Sequence, residues 1–431
     1  MYPTPPGRRT AIVAGCRTPF LKAWSHFKHL GALDLGKAAV QELLSKAELR
    51  PAVVDQMIFG IVVPAVKMPN IAREIALGAG IPAQVPAFTV SLACISSLVA
   101  IANGSDQIAR GVADVVVAGG VDSLSDVPLT FHPHARNLFL KLNRSRTFGE
   151  RLSTVLGFKF RDFIPDAPAL EEPSTGLSMG QSAEQMAQIN HISRHEQDEF
   201  ALMSHQRAAA AHRNGIFKNE IAPVYLTRDQ LTIREDNIIR SETSMEVMAK
   251  LKPVFDKRYG TITAANSSPL TDGAAAVLLM SEEKARALGY RPLAFLRSSA
   301  FSAHSPKDQM LMGPAYATPA ALDRAGLKWS DLSVIEMHEA FAASVLATLK
   351  MFESKQWAQE KLNRSEPIGQ IDYAKLNRYG GSIAIGHPFA ATGARLVTTL
   401  ANELQRTNSA FGLVTACAAG GHGAAMVLER E

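Results

Sequence analysis

The sequence predicts an α/β layered protein built from two similar halves, the first of them interrupted by a helical insert. Three observations carry this. Short apolar strand-like runs alternate with helical stretches over residues 10–125, and the alternation resumes from about residue 290. Such alternation is the pattern of βα units around a largely parallel sheet. The stretch Gly273–Glu282 (GAAAVLLMSE) is echoed by Gly423–Glu431 (GAAMVLERE), each closing its half. Between the two regions of alternation, residues 126–255 change character and read as mostly helical. The expected division is therefore 1–125 with 256–288 as one half, 126–255 as an inserted loop domain, and 289–431 as the second half.

Composition bounds the function. The 431 residues are 47% hydrophobic and 20% charged, a globular balance with material for large cores, and a net charge of +5 does not argue for nucleic acid. No run approaches the roughly 18–20 apolar residues that span a bilayer. Met1-Tyr-Pro-Thr-Pro-Pro-Gly leads into strand-like Thr10–Ala14 without an apolar signal region, so a cytoplasmic location is expected. Three cysteines (Cys16, Cys94, Cys417) are too few for a disulfide framework, and without CxxC or HExxH no metal site is expected.

In chain order, Ile12-Val13, Met57–Val63 and Ala113–Ala118 read as strands, with a helix over Leu33–Leu44. The pair Gly119-Gly120 reads as a tight turn ending this block. Pro86–Val90 reads as a short buried strand leading to Ser91-Leu-Ala-Cys94, after which Ile95, Leu98, Val99, Ala102, Ile108 and Ala109 keep helical spacing, broken by Gly104. Cys94 thus sits where a strand becomes a helix. Free N–H groups and the helix dipole there favour a nucleophilic thiolate and can hold an oxyanion. In the insert, Pro165, Pro168 and Pro173 break up the approach to a helix at Ser182–Ile189, and Ser193-Arg-His-Glu196 is a capping box opening a second helix.

The second half carries three more motifs. Met337-His338-Glu339-Ala340-Phe341 lies where the strand Leu332–Ile335 passes into a helix. Asn377-Arg-Tyr-Gly-Gly-Ser-Ile-Ala-Ile-Gly386-His387-Pro388 places a histidine before a further helix, with Pro388 suited to a first helical turn. Cys417-Ala-Ala-Gly-Gly-His422-Gly423 follows the strand Phe411–Thr415. Singly each is weak. Together they supply a nucleophilic thiol, a base, a second thiol for proton transfer and polar groups for an oxyanion, which suits acyl transfer with carbanion chemistry.

On these motifs the whole chain, from Arg17-Thr18-Pro19 to the last strand, resembles the thiolase family. Its pattern of nucleophilic Cys, Asn-or-His-Glu-Ala-Phe, Gly-His-Pro and a second Cys appears here as Cys94, His338–Phe341, Gly386–Pro388 and Cys417. His338, where many thiolases have Asn, and the segment between Pro128 and Pro173 resemble the β component of fatty-acid oxidation (trifunctional) complexes. The resemblance implies the duplicated thiolase fold, layered αβαβα, and thiolysis of 3-ketoacyl-CoA. It implies Cys94 as nucleophile, His387 as its base, Cys417 as acid and base, and His338 with His387 holding the enolate oxygen. It implies the backbone N–H groups of Cys94 and Ala419 as the second oxyanion site, and a pantetheine tunnel involving Ser178, Met179, Ala264, Ser268 and Phe341. Ser178 departs from a common His, Ala419 from a common Gly, and His422 has no assigned role. Coenzyme A is a substrate, and no cofactor is expected. The implied partners are a second copy in a homodimer, a hydratase–dehydrogenase α subunit in a heterotetramer, and a membrane surface.

A biosynthetic acetyl-CoA acetyltransferase would use the same residues in the opposite direction, and a catalytically inactive acyl-CoA-binding subunit is the reading from another class. HEAF and the insert favour degradation, and the intact motifs favour an enzyme. The segment Leu129–Arg161 holds seven basic residues, including Arg144, Arg146 and Arg151, against one acid, Glu150. Leu138, Leu142, Phe148, Leu152 and Leu156 fall near one helical face, with interruptions expected at Gly149 and Gly157. That pattern reads as a docking surface.

Overall fold

The structure, a computed structural model, describes residues 7–64, 66–165 and 171–431. Met1–Pro6 of the N-terminal reading and Pro168 of the insert lie outside them. Nine strands form the main path of one large sheet: β1 (Thr10–Arg17), β2 (Gln56–Gly60), β3 (Ala87–Val90), β4 (Val115–Asp122), β5 (Thr271–Ser281), β6 (Ala294–Ala303), β7 (Val334–Met337), β8 (Phe411–Ala418) and β9 (His422–Glu429). Their order is β7-β8-β9-β6-β1-β5-β4-β2-β3, with Leu21–Lys22 paired beside β5.

The order exposes the duplication. Read outward from the centre, the first half runs β1, β5, β4, β2, β3 and the second runs β6, β9, β8, β7. In each half the opening strand lies beside the closing strand. The place of β3 in the second half is taken by a single parallel bridge, Ile335 to Leu376. Within the sheet β1 meets β6 at two residue pairs, Ala11 with Phe295 and Ile12 with Ala294, and isolated bridges from Ser267 to Phe341 and from Leu270 to His387 also link the halves.

Three cores separate five layers. Ala32–Lys46 and Ile71–Gly78 cover the outer face of the first half, through Leu35, Leu43, Ile75, Met57 and Val117. Gly313–Ala325 and Ala342–Glu353 cover the second, through Leu322, Val345, Ile335 and Val427. The middle core packs the helices Ser96–Ala109 and Thr392–Thr407 between the two halves, burying Leu98, Ile101, Leu396 and Leu400 against Ile58, Val277, Val414 and Met426. Each such side chain contributes roughly 1.5–3 kcal/mol of burial. The strand end that carries Cys94 and the loop that carries His387 both feed this middle layer, so the layer brings the halves' chemistry together.

Several expectations need correction, beginning with β3, which is a partly exposed strand at the sheet edge and not a buried one. The sheet is mixed, not largely parallel: β1–β5, β1–β6, β4–β5, β6–β9 and β8–β9 are antiparallel, and only β2–β3, β2–β4 and β7–β8 are parallel. The closing strands β5 and β9 return through the sheet's interior and reverse its direction. Gly119 and Gly120 do not turn. They continue β4, because a Cβ at Gly119 would meet the Ala275 carbonyl at 2.3 Å and one at Gly120 the Ala390 carbonyl at 2.2 Å. Gly104 likewise does not break its helix, and lets it approach Val116 and Leu279. The Met57–Val63 run ends at Gly60, where the Val62 and Val63 N–H groups leave the ladder to bind Asp122. Cys417 belongs to β8, paired with Gly423, and the turn starts at Ala419.

The insert contributes no strand to the large sheet among the described residues. Met179–Ile189 and Arg194–Arg213 form as expected, the latter under the Ser193/Glu196 capping box. Segment 129–161 is two helices, Pro133–Arg144 and Phe148–Val155. They break before Thr147, not at Gly149, because Thr147 and Glu150 cap the second helix reciprocally. Leu138 and Leu142 are therefore half-buried while Phe148, Leu152 and Leu156 face outward. The expected single apolar face is absent.

Candidate active site

Cys94 ends a short loop after β3. Ala93 before it has a left-handed φ of 45°, sterically costly for a residue with a Cβ. Ser96 holds the loop: its hydroxyl accepts from Leu92 N (2.8 Å) and donates to the Ala93 carbonyl (2.7 Å). The thiol is thereby aimed across the middle layer, where His387 Nε2 lies 3.2 Å from Cys94 Sγ.

His387 is oriented from both sides. Gly386, at φ 112°, makes the turn, and a Cβ there would collide with Ile238 and Thr271. His387 N donates to Thr271 Oγ1 at 3.1 Å. Thr392 Oγ1 donates to the Pro388 carbonyl (3.3 Å) and so accepts from His387 Nδ1, 2.6 Å away. With Nδ1 protonated, the neutral ring presents a lone pair on Nε2 to the thiol. Burial, reinforced by Arg395, pushes His387 down to about 3, so it stays neutral at working pH.

The expected resting thiolate is not supported. Burial pushes the Cys94 thiol up to about 12, and Asp122 adds to this against the backbone N–H groups of Ala419 and Cys94 that hydrogen-bond the sulfur. Desolvation, worth several pH units, outweighs the fractional charge of a helix end. The resting pair is a thiol beside a neutral imidazole. Cys417 is raised too, first by burial and then by the charge of Cys94. It stays protonated until a strong base forms beside it.

His338 packs against His387 with ring centroids 4.1 Å apart. Its Nδ1 meets Ser382 Oγ at 2.9 Å, and its buried Nε2 has no protein partner. Burial, then the charges of His387 and Arg395, hold it neutral. Cys94, His338 and His387 each offer a donor atom within 4.8 Å of the others, a spacing a soft metal ion could also use. Their contacts are those of a proton-transfer group, and no step below passes through a metal.

Around this centre the loop 264–271 runs between the two histidine motifs. Ser268 N and Oγ both donate to the Ala340 carbonyl at 3.0 Å. Phe341 is buried and stacks edge-on with Phe255, 6.2 Å between centroids, and Met179 packs into the same core. Ser178 acts as the N-cap of Met179–Ile189, and Ala264 is exposed. Among the described residues neither is hydrogen-bonded to Cys94, His338, His387 or Cys417. Ala419 has a negative φ, the left-handed residues of its turn being Gly420 and Gly421, so its N–H can point at the sulfur without strain. His422 opens β9 opposite Ala418 and Ala303. A groove of about 550 Å³ lined by Trp329, Arg364 and Lys375 lies elsewhere, and none of the four residues borders it.

Several residues essential to this geometry were not singled out from the sequence. Glu339 accepts from Ser204 Oγ (2.7 Å), Asn377 Nδ2 (2.6 Å) and Ile383 N (3.2 Å), fastening the HEAF loop to the Gly380-Gly381 loop and the insert. Asp122 accepts from Val62, Val63 and Ala390 N–H groups, tying β4 to the turn after His387. Burial raises it to about 7. Ser382, Thr392 and the buried Arg395–Glu336 pair complete the set. The available signal was a hydroxyl residue spaced a few positions either side of His387, and a carboxylate closing an apolar strand.

Residues 10–283 match the family described as thiolase, N-terminal domain, and residues 290–430 match thiolase, C-terminal domain. The chain belongs to the thiolase family. It is 51% identical over 425 residues to a 3-ketoacyl-CoA thiolase of Yersinia enterocolitica, covering 99% of this chain and 98% of the relative. It is 52% identical over 426 residues to one of Pseudoalteromonas translucida, with the same coverage. Its fold is similar to that of an acetyl-CoA acetyltransferase of Bacillus anthracis (TM-score 0.84, 32% identity, covering 98% of this chain and 99% of that one). It is also similar to that of human mitochondrial 3-ketoacyl-CoA thiolase in complex with CoA (TM-score 0.82, 32% identity, 98% of each chain). This thiolase therefore shares a full-length architecture with proteins named 3-ketoacyl-CoA thiolase and acetyl-CoA acetyltransferase.

Proposed function

We propose that this thiolase cleaves 3-ketoacyl-CoA with coenzyme A, giving acetyl-CoA and an acyl-CoA two carbons shorter, as an acyltransferase of fatty-acid β-oxidation. The observation that carries the reading is the Cys94–His387 contact at 3.2 Å, beneath the N–H groups of Cys94 and Ala419. His387 Nε2 takes the Cys94 proton as sulfur attacks the 3-keto carbon. The new oxyanion is held by the two N–H groups. Its collapse breaks the C2–C3 bond, leaving the acyl group on Cys94 and the electron pair in the enolate of acetyl-CoA. His338 and the now protonated His387 hold the enolate oxygen, and Cys417 gives its proton to C2. In the second half, the Cys417 thiolate takes the proton of incoming coenzyme A, whose sulfur displaces Cys94, and His387 returns the proton to Cys94. A transient thiolate costs least when its proton moves only 3 Å, which reconciles a raised resting pKa with nucleophilic catalysis.

Met179, Ser268 and Phe341 are the wall contacts this reading favours for the pantetheine arm, while Ser178 and Ala264 have weaker support. The division into halves 1–125 with 256–288 and 289–431, around insert 126–255, fits it, since each half delivers one of the paired residues. Homodimer formation is supported by β3, which is paired on one side only and carries the exposed Phe88. Docking of segment 129–161 on a hydratase–dehydrogenase subunit or an anionic membrane is supported by Phe148, Leu156 and Phe160, exposed by 82%, 77% and 87%, beside Arg144, Arg146 and Arg151. Among the described residues no helix is long and apolar enough to cross a membrane. A thiolysis series from C4 to C16 3-ketoacyl-CoA tests the function. CoA-dependent loss of the 3-ketoacyl species with matching acetyl-CoA is expected, and an inert protein across the whole series would overturn it.

A further inference from the structure

We propose that Ser382 and Arg395 are positioning residues that fix the tautomer of His338, placing its proton on Nε2 and making that nitrogen a built-in hydrogen-bond donor to the reacting oxygen. Arg395 Nη2 lies 3.1 Å from Ser382 Oγ. A guanidinium has only donors, so the Ser382 oxygen must accept from it. The serine's own hydrogen then needs an acceptor, and among the described residues the only other hydrogen-bond partner of Ser382 Oγ is His338 Nδ1, 2.9 Å away. Ser382 is fully buried, so its hydroxyl has no open path to bulk solvent. Its O–H therefore points to Nδ1, and a neutral imidazole that accepts at Nδ1 carries its proton at Nε2.

The opposite tautomer would have His338 Nδ1 donate to Ser382 and leave the hydroxyl hydrogen buried without a partner. An unmade buried hydrogen bond disfavours that state on the order of tenfold or more. Arg395 is itself held in place by Glu336, 3.3 Å away and equally buried. His338 Nε2 is the atom left without a hydrogen-bond partner among the described residues, on a ring that packs against His387. The neighbouring ring is set the other way. Thr392 gives its hydrogen to Pro388 and so keeps His387 protonated on Nδ1. Two rings with centroids 4.1 Å apart are thus held as one acceptor and one donor, His387 by a hydroxyl that gives its hydrogen to Pro388 and His338 by a hydroxyl that gives its hydrogen to Nδ1. A histidine at position 338 needs such a relay, whereas an asparagine carries its donor covalently.

The functional consequence rests on the proposed role of His338 as an oxygen-binding donor, so the test separates the two ideas. Solid-state 15N spectra of histidine-labelled protein, with the His338 signals identified by their loss in His338→Asn, report the tautomer without reference to activity. Protonated Nε2 is expected in the wild type, with part of the population moving to Nδ1 in Ser382→Ala. A proton on Nδ1 in the wild type would overturn the relay. In thiolysis, Ser382→Ala should lower kcat by about ten- to a hundredfold in the wild-type background, the range seen when a positioning partner is removed. In the His338→Asn background the same change should cost under about threefold. An equal loss in both backgrounds would make Ser382 merely structural and overturn the proposal. His338→Ala tests the donor role itself: full activity there would sink that role while the spectra still judged the tautomer.

Discussion

Replacing Thr392 with Val tests how His387 becomes a base. Valine keeps the size and β-branching of threonine and removes only the hydroxyl. In the native site that hydroxyl accepts from His387 Nδ1 at 2.6 Å and donates to the Pro388 carbonyl at 3.3 Å. Without it, the Nδ1 proton is buried with no acceptor, which costs about 1–3 kcal/mol. The ring can escape that cost by moving its proton to Nε2, but then Nε2 has no lone pair for the Cys94 proton. Either route charges the same 1–3 kcal/mol against acylation, a loss of roughly five- to 150-fold. Both half-reactions use His387, so both should slow together while KM changes little. The assay is single-turnover acylation of Cys94 by acyl-CoA, followed by rapid quench and intact-protein mass. Acylation within twofold of wild type in a folded Thr392→Val protein would refute the reasoning, because His387 would then hold its tautomer without Thr392.

Other outcomes follow from the same geometry. Cys417→Ser should leave part of the acyl transfer from a simple acyl-CoA onto Cys94, because a coenzyme A thiolate can depart unprotonated, but collapse C–C cleavage, since a hydroxyl is a far weaker acid than a thiol; equal and complete loss of both in stopped-flow assays would make Cys417 structural. Between pH 5 and 8, acylation should show no inflection near 6.5 from His387, because burial has pushed that group down to about 3; loss of activity centred near 6.5 that is traced to His387 would contradict its neutral burial. Gly120→Ala should cost more than about 2 kcal/mol in chemical denaturation, since its Cβ would lie 2.2 Å from the Ala390 carbonyl in the turn after His387; an unchanged midpoint would show that the turn has room. Reversing Arg144, Arg146 and Arg151 to Glu should leave thiolysis within a few-fold and weaken binding to anionic liposomes or to a partner subunit at low salt; unchanged binding to both would reduce the segment to a surface flap.

The sequence exposed the chemistry better than the backbone that holds it. Cys94, His387, Cys417 and His338 stood out as candidates because four short motifs combine special glycines with nucleophilic and basic residues in a fixed order, and the fold brings Cys94, His338 and His387 together. The strand–helix alternation revealed the layers, and the echo of Gly273–Glu282 in Gly423–Glu431 revealed the duplication. Strand direction was not legible, since an apolar run carries no mark of whether its neighbour is parallel. Gly104, Gly119 and Gly120 were misread because a glycine demanded by a close neighbour looks the same in sequence as one demanded by a turn. The resting state of Cys94 was misjudged because a helix start is visible in sequence and burial is not. Ser382, Thr392, Asp122 and Arg395 passed unnoticed for a related reason. They act through contacts between segments distant in sequence, and a serine or threonine gains meaning only from the hydrogen it has left to give.

The account turns on an acyl group carried by Cys94 and nowhere else. Mixing the protein with 3-ketodecanoyl-CoA in the absence of free coenzyme A, then measuring intact mass and mapping the adduct by peptide sequencing, tests this directly. The predicted result is one octanoyl group on Cys94, stoichiometric acetyl-CoA in solution, and neither product from Cys94→Ala. An unshortened acyl adduct, an adduct on Cys417 or Cys16, or turnover persisting in Cys94→Ala would contradict it.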